Sequence, residues 1–150
     1  MTDIKEKVGL EYEPYSLKVE EGKIKEFAAA IGDTNPIYYE IVEAKKAGYQ
    51  GIPIPLTFLQ VIDMWGGPNF QEKVKKLNLN PVKVLHGEQE YEFIKDIYAG
   101  DILNVTSKVV SVDVKKGNTG GMDLITTKNN YVNQKGELVA ISKQVTIQRH

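Results

Sequence analysis

Residues 32–39 read Gly-Asp-Thr-Asn-Pro-Ile-Tyr-Tyr, and they hold the chain's densest set of groups able to do chemistry. Asp33 offers a carboxylate that can take up a proton or orient a water. Asn35 offers a turn amide, Pro36 stiffens the backbone by fixing its own φ, and Tyr38 offers a phenol five residues after the acid. General acid–base chemistry needs such groups within hydrogen-bond reach of the proton they move. A tight turn suits that need, because it fixes one carboxylate in place. The same residues also have structural uses: Asp caps loops and helices, Asn stabilises turns, and Tyr packs its ring while its hydroxyl meets water.

Other candidates are sparser. His86 is the one internal histidine, at the start of a strand pattern beside Gly87 and Glu88. A lone strand histidine is usually structural, and the neighbouring acid is what would hold it for proton transfer. Thr57, Gln60 and Asp63 form a narrow polar stripe along an otherwise apolar helical segment, a side expected to face a partner or the sheet edge. The run Lys73-Val-Lys-Lys76 reads as a solvated helix face that could also meet a phosphate.

Composition removes several kinds of chemistry. The chain has no cysteine, which excludes disulfides, thiolate nucleophiles and cysteine zinc sites, and its two histidines are too few for a histidine-rich metal centre. No metal or cofactor is expected. A net charge of -1 gives no electrostatic reason to expect nucleic acid or an anionic membrane as partner. The first ten residues lack the apolar core of a signal peptide, and no apolar run is long enough to span a bilayer, so a cytoplasmic protein is expected. At 150 residues the chain suits a single domain over 1–150 with one real core.

The elements that must position these residues follow from periodicity. Tyr15, Leu17 and Val19 alternate as a short strand does. Ile24, Phe27, Ala28 and Ile31 then recur at helical spacing, and Gly32 stops that helix. Residues 39–48 predict a second short helix ended by Gly48. Pro53 and Pro55 make an extended link, and Pro55 is a good first-turn residue for the helix after it. That helix carries Leu56, Phe58, Leu59, Val61, Ile62, Met64 and Trp65 around nearly its whole circumference, so it should be buried, with Met64 and Trp65 filling core. A more exposed helix follows, with Phe70, Val74 and Leu77 facing inward.

From His86 the period changes to two. Glu88, Glu90 and Glu92 alternate with Tyr91 and Phe93. Leu103, Val105 and Val109 share a face before the phase slips to Val110, Val112 and Val114, which predicts a β-bulge. Segments 116–121 and 133–136 read as hairpin turns. In the last strand Val139, Ile141, Val145 and Ile147 make the apolar face. The helical first half and stranded second half indicate α+β, with an antiparallel sheet of about five strands wrapped around one buried helix: the hot-dog fold. Open sheet edges favour pairing with a second such domain, edge to edge.

Two segments carry a family resemblance. Residues 27–58, with the Gly-Asp-x-Asn-Pro motif, followed by residues 84–103, with Leu-His-Gly-Glu-Gln-Glu-Tyr-Glu-Phe and Ala-Gly-Asp, resemble the MaoC-like (R)-specific enoyl-thioester hydratase/dehydratase superfamily. The match is to its N-terminal, fatty-acid-synthase-type dehydratase branch. The resemblance implies addition or removal of water at a 2-enoyl/3-hydroxyacyl thioester of coenzyme A or acyl carrier protein. It implies that Asp33 is the catalytic carboxylate, and that Asn35, Leu56, Thr57, Phe58 and Leu59 bind substrate. The N–H groups at the start of the buried helix would polarise the thioester carbonyl. Phe58, Leu59 and Ile62 would line the acyl tunnel.

Two positions depart from the family pattern. Tyr38 stands where the family's dyad histidine belongs, and Pro-Leu-Thr-Phe stands where a His-Gly pair is common. A phenol titrates near ~10 and an imidazole near ~6.5, so Tyr38 can donate to a water but accepts a proton poorly at neutral pH. Two functions follow from the resemblance. One is a homodimeric hydro-lyase with Asp33 as base and Tyr38 or a water in the histidine's role. The other is a non-catalytic acyl-chain-binding subunit, paired in a heterodimer with a MaoC-like subunit that supplies the Asp-His pair.

Overall fold

The computed structural model describes residues 3–150. Strand β1 (Tyr15–Lys18) leads through α1 (Glu21–Ala30), α2 (Ile41–Lys46), α3 (Leu59–Gly66) and α4 (Phe70–Leu77) to four long strands: β2 (Val84–Phe93), β3 (Ile102–Gly117), β4 (Gly120–Val132) and β5 (Leu138–Arg149). All pairings are antiparallel, in the order β1-β3-β4-β5-β2. This is the expected α+β hot-dog architecture of five strands around a central helix.

Helix α3 seats Leu59 and Ile62 on the inner sheet face, against Leu103, Val105, Tyr131, Val139 and Ala140. Phe58, just before it, is also fully buried and meets Phe27 of α1 edge to face, with ring centroids 5.6 Å apart. Full burial of each such side chain contributes about 1.5–3 kcal/mol. A second apolar cluster of Tyr12, Leu77, Val109 and Ile125 closes the far end of the same sheet face, where α4 arrives. Helix α4 starts with a reciprocal capping box between Asn69 and Glu72 and ends at Asn78 in the left-handed region.

The expected bulge in β3 is present: the β3–β4 register shifts between Val109 and Ser111. It lets Leu103, Val105, Ser107 and Val109 all face inward before the strand changes phase. Gly136, at φ +77°, supplies the left-handed residue in the β4–β5 turn, whose other amides are tied down by the Asn133 side chain.

Five expectations need correction. Phe70, expected to face inward from its helix, stands at the start of α4 and is 54% exposed. Helix α3 begins at Leu59, and Pro55–Phe58 forms a separate tight turn closed by the Phe58 N–H on the Pro55 carbonyl. The stiff Ile-Pro-Ile-Pro link arrives extended, so the chain turns once before it can coil. Ile31 lies past the last residue of α1 and is exposed. Met64 and Trp65 are 61% and 70% exposed and do not fill core in this chain. The polar Asp63 turns in at that level of the helix. In β5 the inward residues are Ala140, Ser142, Gln144 and Thr146, whereas Ile141, Val145 and Ile147 face away. An inner face carrying polar side chains inverts the rule by which apolar residues mark the inside. Val139 is still fully buried, because the β4–β5 register slips beside it, between Tyr131 and Val132.

Candidate functional site

Helix α1 delivers its C-terminus to the Asp33 loop. Gly32, at φ +74°, reverses the chain, and the Asp33 N–H reaches back to the Ala28 carbonyl at 2.9 Å. Asp33 Oδ1 accepts the Asn35 N–H at 2.9 Å, and Asn35 Oδ1 accepts the Ile37 N–H at 3.2 Å, which caps the 3-10 turn Pro36–Tyr38. The Tyr39 hydroxyl donates to the Asp33 carbonyl at 2.7 Å. Successive Asx turns and one phenol thus fix the carboxylate. Half-buried Tyr38 packs against the core around α3, the same cluster that holds Phe58 and Leu59. Its hydroxyl is pushed above the ordinary phenol range by burial first, then by the Asp33 charge and Tyr49. At neutral pH Tyr38 is therefore a protonated donor. Asp33 and Tyr38 make no direct hydrogen bond.

The other expected site residues divide sharply. Leu56 and Thr57 are exposed, at the apex of the turn before α3, and their backbone N–H groups have no protein acceptor among the described residues. Open N–H groups before a helix can hold a carbonyl oxygen as it gains negative charge. Phe58 and Leu59 are 1% and 0% exposed and serve as core, anchoring the turn from below. His86, on β2 opposite Thr146, stands away from the Asp33 loop. Among the described residues no group of three His, Asp or Glu side chains is placed to hold a metal ion.

Periodicity did not point to a second polar centre, on the other side of α3. Asp63 Oδ1 accepts the hydroxyls of Tyr15 at 2.7 Å and Tyr131 at 2.8 Å, together with the Asn129 side-chain amide at 3.3 Å. Burial raises the Asp63 carboxyl above the usual range, while the donation from Tyr15 and Tyr131, the charge of Lys73 and the Asn129 amide pull it back. Both tyrosine hydroxyls are pushed far up, by burial first and by Asp63, so they remain donors. Asp63 was visible in the sequence as one member of the polar stripe. Its partners come from β1 and β4, too far along the chain for any local pattern to join them.

Beside this centre lies a cavity of about 380 Å³ between α4 and the inner face of β3, β4 and β5. One side is polar: Ser107, Asn129 and Ser142 form a row across the three strands, with Thr127 and Gln144 in the next row. Met64, Phe70, Val74, Leu77, Leu79 and Val84 supply apolar wall, and Gln60, Asn69, Lys73 and His86 also reach the lining. The volume is within the range of small-molecule sites, roughly 300–1,000 Å³. Neither Phe58, Leu59 nor Ile62 borders it. An acyl chain lying against those three residues would need a different space from this one.

The family described as "FAS1-like, dehydratase domain region" matches residues 6–142. A UPF0336 protein of Streptomyces avermitilis is 34% identical over 141 residues, covering 92% of this chain and 91% of its own. A chain in the crystal structure of the C-terminally truncated HadBC complex, a (3R)-hydroxyacyl-ACP dehydratase of Mycobacterium tuberculosis, is 26% identical. It superposes with a TM-score of 0.77 over 97% of this chain and 98% of that one. A chain of the ChsH1-ChsH2 complex of the same organism is 20% identical, with a TM-score of 0.74 over 97% of this chain and 86% of its own, a likeness of fold.

Proposed function

The chain belongs to the FAS1-like dehydratase-domain family, within the MaoC-like hot-dog hydratases and dehydratases, and from that premise we propose that it is the acyl-thioester-binding subunit of a two-part (R)-specific 2-enoyl/3-hydroxyacyl-thioester dehydratase. The partner is a second hot-dog subunit that brings the Asp-His pair. Substrate would come as a thioester of coenzyme A or acyl carrier protein, and the pair would work in the cytoplasm. The observation that carries this reading is Tyr38. At the dyad position stands a phenol held protonated by burial and by Asp33, five residues from an acid already engaged by the Asn35 N–H. Such a loop can bind a water or a thioester but lacks the second proton acceptor that the reaction uses.

Two further features support it. Leu56, Met64 and Trp65, in and just before α3, are 71%, 61% and 70% exposed, large apolar side chains that a partner would cover. The HadBC protein, to which the chain is similar over nearly its whole length, is itself a complex. A second reading, a self-sufficient hydratase with Asp33 as sole base, draws on the open N–H groups of Leu56 and Thr57, which would polarise a thioester carbonyl in either case.

The pairing is testable through the chain's single tryptophan. Mixed with a hot-dog subunit carrying Gly-Asp-x-Asn-Pro-x-His, the chain is expected to elute as a one-to-one complex at micromolar concentration, with Trp65 emission moving to shorter wavelength as water leaves the indole. A complex with unchanged emission would mean that α3 does not face the partner. Failure to form any complex, with the chain sedimenting as a compact monomer, would remove the subunit reading.

A further inference from the structure

The cavity beside Asp63 holds more hydrogen-bonding groups than the protein itself uses. Ser107, Thr127, Gln144 and Thr146 on the sheet and Gln60 on α3 line it, and their side chains make no hydrogen bond to protein among the described residues. Hydroxyl and primary-amide groups can give or take a hydrogen bond, so alone they select no kind of ligand. Lys73 does select. It reaches the lining from α4, its ammonium can only donate, and it forms no ion pair among the described residues.

Asp63 is the one acid in the lining, and its oxygens are already engaged. Oδ1 accepts from Tyr15, Tyr131 and Asn129, and Oδ2 lies 2.8 Å from the Tyr131 hydroxyl. Lys73 is near enough for its charge to be felt at Asp63, yet the two are not in contact. The carboxylate is thus met by donors of its own from β1 and β4, and the ammonium is not met. Of the other titratable groups in the lining, His86 is exposed at the β2 edge, and Tyr12 and Tyr15 are kept neutral by burial.

A half-buried ammonium beside apolar side chains has lost part of its water and gains from an anion that replaces it. A bare inorganic anion would leave the wall of Met64, Phe70, Val74 and Leu77 facing water, and a plain hydrocarbon would leave Lys73 unpaired. About 380 Å³ is room for a small amphiphile.

We infer that this cavity is a binding site for a monocarboxylate with a hydrocarbon tail, its carboxylate paired with Lys73 and its tail against the apolar residues of α4. The cavity lies across α3 from the Asp33 loop, so this is a second site, and it does not rest on the thioester reading above.

The test is calorimetric titration of the whole chain at neutral pH with octanoate, octan-1-ol and octylammonium, with amide NMR shifts to locate the site. Octanoate is expected to bind at least about tenfold more tightly than octanol, because an ionised partner makes a hydrogen bond roughly twice as strong, and octylammonium should bind most weakly. Shifts should concentrate at Lys73, Thr127 and Gln144. Lys73→Gln, which keeps side-chain length and helix propensity, should bring octanoate down to octanol. Lys73→Arg should keep the preference, and Lys73→Glu should turn it toward octylammonium. If any of these variants fails to fold, the wild-type comparison of the three ligands still decides. Equal binding of acid and alcohol, tightest binding of the ammonium, no binding at all, shifts outside the cavity, or a preference that survives Lys73→Gln would overturn the inference. Displacement of octanoate by octanoyl-coenzyme A, whose acyl carbonyl is uncharged, would make the cavity the acyl end of the thioester site and would also overturn it. Absence of enoyl-thioester turnover in any complex, with octanoate still bound through Lys73, would instead sink the subunit reading alone.

Discussion

Tyr38→His is expected to give the isolated chain enoyl-thioester hydration roughly 10²–10⁴-fold above the wild-type background, the usual contribution of one positioned acid–base group. The loop is already built for it. Asp33 is fixed by Asn35, Asn35 caps the turn that carries Tyr38, and Tyr39 ties the loop from the other side. An imidazole placed on this turn would titrate near neutrality where the phenol does not. The open N–H groups of Leu56 and Thr57 would supply the oxyanion donors. Adding Asp33→Asn should return the rate to background, which separates a restored pair from a stray histidine. A folded Tyr38→His chain that binds an acyl thioester and still hydrates nothing would place the loss in more than one element, with exposed Leu56 crowding the approach as the next suspect.

Tyr131→Phe is expected to cost about 1.5–3 kcal/mol of stability where Asp63 is ionised, the value of a buried hydrogen bond to a charged group. The ring's packing is kept; the donor to Asp63 is lost, together with the oxygen that pairs with Ser142 and Asn129. The pH dependence identifies the cause. Burial raises the folded-state Asp63 carboxyl above its unfolded value. The native state therefore keeps a proton that the unfolded chain has released, and the contribution of Asp63 to stability falls as pH rises from the ordinary carboxylate range through the raised one. Removing the Tyr131 donor raises that carboxyl further. The difference between wild type and Tyr131→Phe should then be largest above the raised range and shrink as pH falls and Asp63 is protonated in both. Chemical denaturation across that range measures it. A difference that does not change with pH would show that Tyr131 acts through packing and not through the carboxylate.

The fold was legible because its signals are local and redundant. The α1 spacing, Gly32 as a stop, the bulge after Val109 and the turn at Gly136 each follow from a few neighbouring residues, and all agree on one antiparallel sheet around a helix. The Asp33 loop was legible for the same reason: its hydrogen bonds join residues two to six apart. The cavity was not. Reading β5 by hydrophobicity chose Ile141, Val145 and Ile147 as the inner face, because apolar residues normally mark it. Here the inner face carries Ser142 and Gln144 to line a polar space, and the rule fails where the inside has a use for hydrogen bonds. Trp65 and Met64 misled in the complementary way. Their apolarity suggested core, and a surface awaiting a partner has the same composition. The sequence holds Asp63, Tyr15 and Tyr131 far apart, so only the tertiary fold reveals that they meet.

The proposed subunit role has this chain bind an acyl thioester without carrying out the chemistry alone. Its most direct test is the hydration of crotonyl-coenzyme A by the purified wild-type chain, followed by loss of the conjugated-enoyl absorbance, with and without a catalytic hot-dog subunit. A rate equal to buffer is expected for the chain alone. With the partner, turnover should survive Asp33→Asn in this chain and be lost when the partner's dyad is removed. Turnover by the chain alone that Asp33→Asn abolishes would contradict the account and establish Asp33 as the base of a self-sufficient hydratase.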